Sequence, residues 1–187
     1  MKTNLLALLC NIILPFLSVV LVACSNHKND TVEIENLVRR YNHLLIQGYQ
    51  KQDMNPLQEV ATEEHARKLY HHMSALGEGQ LRMESKLKNI IFKKTDQRSN
   101  TEATVETEET WDFTHYRMSS NEKYAEEKDF IYRMGYILNK KDERWMITNV
   151  NTISGTSTNT VIPFPQLGRK GNNVNQPQDG GKTANHP

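Results

Sequence analysis

"FIYRMGYILNKKDERWMITNV", residues 130–150, reads as two strands joined by a tight polar turn. Phe130, Tyr132, Met134, Tyr136 and Leu138 recur at every second position, so all five side chains fall on one face of an extended chain. Lys140-Lys141-Asp142-Glu143 breaks that rhythm, and the apolar pattern resumes at Trp145. A connection this short joins antiparallel neighbours. Strands are therefore predicted over 128–139 and 144–152. The same period of two covers 86–96 and 101–116, joined at Asp96-Gln97-Arg98-Ser99-Asn100, which makes four antiparallel strands. Lys86, Lys88, Lys93, Lys94 and Arg98 in the first strand face Glu102, Glu106, Glu108 and Glu109 in the second. Paired across the ladder they would stabilise the hairpin by about 0.2–1 kcal/mol each, which explains the acidic run better than a binding site does.

Upstream of the strands the period is helical. Ile34, Leu37, Val38, Tyr41, Leu44, Leu45 and Gly48 mark one face of a first helix, with Asp30 and Glu33 resembling a capping box. Asn55-Pro56-Leu57-Gln58 starts a short second helix, with Asn as cap and Pro in the first turn. Thr62 can cap a third, whose stripe is Ala66, Leu69, Tyr70, Met73, Leu76 and Gly77 and which is predicted to end near Ser85. Helices followed by a long antiparallel sheet make an α+β domain, here three N-terminal helices packed in a curved four-stranded antiparallel sheet.

The chain begins Met1-Lys2-Thr3-Asn4, and the nineteen residues from Leu5 to Ala23 carry no charge. Such a length could span a bilayer, but Pro15 interrupts it, no Lys/Arg-rich flank follows, and the small Ala23 suits a signal peptidase. Leu21-Val22-Ala23-Cys24 resembles the lipobox of bacterial lipoproteins. That resemblance implies a signal peptide over 1–23, a diacylated Cys24 as the first mature residue, and a tether over 24–30. Two or more acyl chains give stable anchoring where one holds only marginally. The expected place is the cell membrane or outer membrane, with the domain on the extracytoplasmic side. In proteobacterial lipoproteins an Asp after the cysteine resembles an inner-membrane retention signal, so Ser25 there favours the outer membrane in an organism that has one.

Cys10, the only other cysteine, lies in the segment expected to be removed, so the mature chain would fold without a disulfide. Losing Lys2 leaves 22 basic against 22 acidic residues. A balance this even argues against nucleic acid as a partner. The expected partners are membrane lipid, through acylated Cys24, and envelope or membrane proteins. The domain is predicted over 31–153, followed by a low-complexity, mostly disordered tail over 154–187. Beyond Gly168 only Val174 and Ala184 offer apolar side chains apart from proline, too few to offset the entropy of ordering. Val161-Ile162-Pro163-Phe164-Pro165 either pins the chain to the domain, as we expect, or forms a short docking peptide.

Chemistry is sparse. His65, His71 and His72 do not form H-E-x-x-H, and adjacent His71 and His72 face different sides of a helix. Asp112 and His115 fall on opposite faces of one strand. No Gly-rich phosphate loop, nucleophile elbow or mature cysteine nucleophile is present, so no catalytic residue, metal or cofactor is expected.

The first helix with Tyr41, "NPLQEVAT" (55–62), "EETWDF" (108–113) and "YRMGYILNKKDERWMITNV" (132–150) together resemble the cone-shaped nuclear-transport-factor-two-like fold. More narrowly they are similar to the IMS-type domains of envelope and plastid-division proteins. The resemblance implies protein–protein contact in an envelope compartment. The function expected is thus a lipid-anchored, noncatalytic interaction or assembly module; the alternative is a small-molecule binder or enzyme using the cone cavity. Tyr41, Glu109, Trp111, Tyr136 and Trp145 are the candidates for lining that cavity.

Glu109 is the odd residue. Ala103, Val105, Thr107, Trp111 and Phe113 form the apolar face of the second strand, and strict alternation puts Glu109 among them. A buried carboxylate needs partners. In an enzyme of this fold it would be the natural general base, with Tyr41 or Tyr136 beside it. The favoured expectations are structural: a bulge at Glu108-Glu109 that turns it to water, or a carboxylate held by an Arg or Tyr. An open cavity with Glu109 at its floor and no cationic partner would instead favour the ligand binder or enzyme.

Overall fold

A computed structural model describes residues 30–165. The expected signal peptide, lipobox, Cys24 and the tail beyond Pro165 lie outside the described residues. Helix α1 covers residues 30–51 and buries Ile34, Val38, Tyr41, Leu44 and Tyr49 along one stripe. Asn42, one position beyond Tyr41, is buried on the same stripe. A 3-10 turn, Asn55–Glu59, and helix α2, Glu63–Glu78, follow. Five strands complete the domain: β1 (Leu81–Gln97), β2 (Glu102–Arg117), β3 (Lys123–Lys141), β4 (Arg144–Thr156) and β5 (Asn159–Ile162).

All neighbouring strands are antiparallel, in the order β1-β2-β3-β4, and β5 continues beyond β4 along the same edge of β3. Register shifts interrupt every long ladder, at Leu87/Asn89 and Phe92/Lys94 in β1 and at Trp111/Phe113 between β2 and β3. Bulges bend the strand that carries them. Strands this long thereby wrap around the helices, and one core joins Ile34, Val38 and Leu57 from the helical part to Val105, Leu138 and Ile147 from the sheet. The linker before α2 is stitched to β4: Ile147 donates to the Val60 carbonyl and Thr62 to that of Ile147, both at 2.9 Å.

The α+β architecture is the one expected, and several boundaries differ. Helix α2 stops at Glu78, with the Gly79 N–H closing on the Ala75 carbonyl, and residues to Ser85 that were predicted helical are already strand. Leu81 and Met83 complete the sheet face opposite Arg117 and His115, a long-range gain the local pattern does not contain. Asn55 does not cap its turn: Met54 precedes it, and the Asn55 N–H bonds Asp53 Oδ1 at 3.0 Å. Asp30 is already helical, and its carboxylate accepts a 3.0 Å bond from Gln97 Nε2. The domain also outlasts residue 153, because β4 runs to Thr156 and β5 pairs Ile162 with Glu126. Phe164 then packs on His115 and Tyr124, with ring centroids 4.7 and 5.8 Å apart, so the 161–165 cluster pins the chain to the domain.

Candidate functional site

Between the helices and the curved face of the sheet lies a cavity of about 630 Å³. Its floor is polar and its walls are apolar. Alternation along β2 sends Thr107, Glu109 and Trp111 inward as expected, with no bulge at Glu108-Glu109. Glu109 is 2 % exposed. Thr107 Oγ1 and Tyr136 Oη donate to its Oε1 at 2.7 and 2.6 Å, and Asn42 Nδ2 adds a longer bond at 3.3 Å. Trp111 Nε1 donates to Oε2 at 2.8 Å. Four neutral donors therefore hold the carboxylate, and no cation pairs with it among the described residues. Of the two structural expectations the held carboxylate is the observed one, with Tyr136 as its holder and no Arg.

Burial, reinforced by the negative charge of Glu109, keeps the Tyr136 phenol well above its ordinary range. Burial does the same for Tyr41, aided by Tyr49 and Glu109. Both remain neutral hydroxyls at any physiological pH. Tyr41 Oη lies 2.8 Å from His65 Nε2, while His65 Nδ1 is buried with no hydrogen-bond partner among the described residues. Burial first, and then Lys68, lowers the His65 pKa. Tyr49, pushed by burial up to about 12, bonds His72 Nδ1 at 2.5 Å.

The walls come from Leu45 and Leu69 on the helices and from Phe113, Phe130, Tyr132 and Met134 on the sheet. Trp111 stacks on Phe113 with centroids 5.8 Å apart, and Phe130 meets Tyr132 at 4.5 Å. Thr160, Ile162 and Phe164 close one side, so β5 and Phe164 after it form part of the wall.

Of the five cavity candidates, Tyr41, Glu109, Trp111 and Tyr136 line this space. Trp145 does not: it is 2 % exposed within the core, with Lys140 Nζ 5.5 Å from its ring centroid. Asn42 and Glu127 line the cavity without having been singled out, and so does His65, weighed from the sequence only as a metal ligand. Asn42 was visible as a polar residue on a core stripe. Glu127 was not, because strict alternation from Tyr132 and Met134 puts it outside. A bulge at Lys128-Asp129, where Asp129 takes φ 54° and its N–H bonds Asp112 Oδ1, reverses that parity.

The arrangement suits binding better than proton transfer. Glu109 already accepts four hydrogen bonds, so little of its acceptor capacity is left for a substrate proton. Among the described residues no group of three or more His, Cys, Asp or Glu could hold a metal ion.

No family model matches the chain, and no curated protein matches it significantly in sequence. Solved structures do. The intermembrane space region of the chloroplast protein ARC6 superposes with a TM-score of 0.53 at 14% identity, over 64% of this chain and 92% of that one. The chain shares its fold with that domain. A cystatin-like protein of unknown function from Nostoc punctiforme (TM-score 0.38, 14% identity, 66% of this chain and 89% of that one) is more distantly similar. So is a putative scytalone dehydratase from Novosphingobium aromaticivorans (TM-score 0.40, 17% identity, 74% and 97%). The observed α+β architecture, helices packed in a curved antiparallel sheet, is the one expected from the sequence. No helix among the described residues is long and apolar enough to cross a membrane.

Proposed function

We propose that this protein is a noncatalytic, lipid-anchored envelope module that takes a small apolar-bodied ligand into the open cone. The observation that carries this reading is Glu109: a buried carboxylate at the floor of a cavity of about 630 Å³, held by four neutral donors and by no cation. A volume of that size suits a small-molecule site, and apolar walls over a few fixed polar groups are what such sites are made of.

Anchoring is supported by Leu21-Val22-Ala23-Cys24 at the end of a stretch uncharged from Leu5, and extracytoplasmic placement by that leader together with the likeness to an intermembrane-space domain. Membrane and envelope proteins are then the neighbours that the tethered domain meets.

Trp111 lines the cavity and Trp145 does not, so Trp145→Phe leaves a single reporter in the site. Full-length Trp145→Phe protein in nanodiscs, titrated with 4-phenylbutan-1-ol, 4-phenylbutylammonium and 4-phenylbutanoate, should give a saturable change in Trp111 emission with at least one of them. No saturable change with any of the three would overturn the reading.

A further inference from the structure

We infer that the cone selects a monocationic amine with an apolar body over an anion of the same shape. The inference rests on the cavity being the ligand site. No Lys or Arg is among the residues lining it, whereas Glu109, Glu126 and Glu127 are. Lys123 Nζ at 2.8 Å and Lys128 Nζ at 3.1 Å neutralise Glu126 without lining the cavity themselves. Glu109 and Glu127 have no such partner among the described residues. Glu127 is held by Ser157 Oγ at 2.6 Å and Thr160 Oγ1 at 2.7 Å, again neutral donors. Burial alone would raise the Glu127 pKa, but these bonds and the Asn159 backbone bring it below the ordinary carboxylate range.

Neutral donors stabilise a carboxylate without cancelling its charge. A cation entering the cavity would be attracted by both uncompensated carboxylates, and an anion repelled by both. The aromatic wall acts in the same sense, since ring faces carry the negative end of the quadrupole and attract ammonium groups. Trp111, Phe113, Phe130 and Tyr132 supply four such rings in one cluster. Of the lining histidines, His65 and His115 have their pKa lowered first by burial, with Lys68 assisting at His65 and His72 at His115.

His65 is the second feature that calls for a ligand. It is 4 % exposed, lines the cavity, and has a buried Nδ1 without a partner. A buried polar atom left in that state is destabilising. In the tautomer whose Nε2–H donates to Tyr41 Oη, Nδ1 carries an acceptor lone pair that no group among the described residues meets.

The test is competition calorimetry on the full-length protein in nanodiscs with 4-phenylbutylammonium, 4-phenylbutan-1-ol and 4-phenylbutanoate, which share a body and differ in head group. The ammonium should bind at least ~10-fold tighter than the carboxylate, with the alcohol between them. Glu127→Gln should narrow that ratio by ~3-fold or more, with an unchanged far-UV circular dichroism spectrum showing the fold kept. Equal affinities, tighter binding of the anion, or a ratio unmoved by Glu127→Gln would overturn the inference and leave the cavity as a ligand site. Absence of binding by all three would overturn the site itself.

Discussion

Tyr136 Oη donates a 2.6 Å hydrogen bond to Glu109 Oε1, although the residue directly across the ladder from Glu109 is Tyr132. Tyr136 lies on the same face of β3 as Tyr132, beside Val105, and reaches along the inner face of the sheet to the carboxylate. Asn42 from α1 completes the contact at 3.2 Å from the same phenol. The bond thus ties together two strands and a helix at the floor of the cavity. Tyr136→Phe removes a hydrogen bond to a charged group and should lower unfolding free energy by about 1.5–3 kcal/mol in urea titrations. A change below about 0.5 kcal/mol would show that the phenol hydroxyl does not hold the floor.

Glu109→Gln replaces one acceptor oxygen by an NH2 group in a nest of donors. If the amide oxygen keeps Thr107, Tyr136 and Asn42, its nitrogen faces Trp111 Nε1. Donor then meets donor. The variant should be less stable by about 1–3 kcal/mol, and less so in a Trp111→Phe background where the clash is gone. Strictly additive losses in that cycle would contradict the assigned bonds.

How much of this was legible in the sequence depends on whether local pattern or long-range packing decided each feature. The period of two along β2 was sufficient to send Glu109 inward, because that strand keeps its parity from Ala103 to Trp111. The aromatic run on β3 marked its inner face for the same reason. What alternation cannot reveal is a bulge: the irregularity at Lys128-Asp129 turned Glu127 toward the cavity, and the one after Leu87 moved the core face of β1 onto Ile90 and Phe92. The start of β1 at Leu81 was hidden as well, since its residues become strand only by pairing with β2. Trp145 was a candidate for the cavity wall as a core or cone-lining aromatic, and only the tertiary fold decides which core layer a tryptophan joins.

Acid should weaken the domain at His65. Its pKa is lowered by burial and Lys68, so the unfolded chain binds a proton near pH 6.5 that the folded chain refuses. Stability contributed by the neutral ring is present above about pH 6.5 and is lost as pH falls below it. His65→Gln should flatten the fall in thermal midpoint between about pH 7 and 5. An unchanged slope would mean that His65 titrates as freely in the fold as out of it. At the alkaline end the sign reverses: the raised Tyr49 keeps its proton up to about 12, so stability should decline once unfolded tyrosines ionise above about pH 10.

Gly48 in α1 leaves no room for a methyl group. A Cβ there would lie 2.5 Å from Met54 Sδ and 3.2 Å from the Asp53 carbonyl, and Met54 is buried. Helix propensity alone favours alanine by about 1 kcal/mol. Overpacking should win, and Gly48→Ala should be net destabilising by about 1 kcal/mol or more in urea titrations. A stabilised variant would mean that Met54 swings away freely.

Truncation separates the wall from the tail. Ending the chain after Gly168 should leave the thermal midpoint within error. Ending it after Thr158 removes Thr160, Ile162 and Phe164 from the cavity wall and should lower it by several degrees, because β5 pairing with β3 is lost. Equal midpoints for the two truncations would deny β5 a part in the domain.

The central claim, that the cone is where this protein binds, is tested most directly by methyl NMR of the full-length protein labelled at methionine and titrated with 4-phenylbutylammonium. Met83 and Met134 line the cavity, whereas Met118 is exposed and Met54 is buried away from it. Saturable shifts at Met83 and Met134, with Met118 and Met54 unmoved, are the expected result. Shifts confined to Met118, or none at Met83 and Met134 while the probe binds, would contradict it.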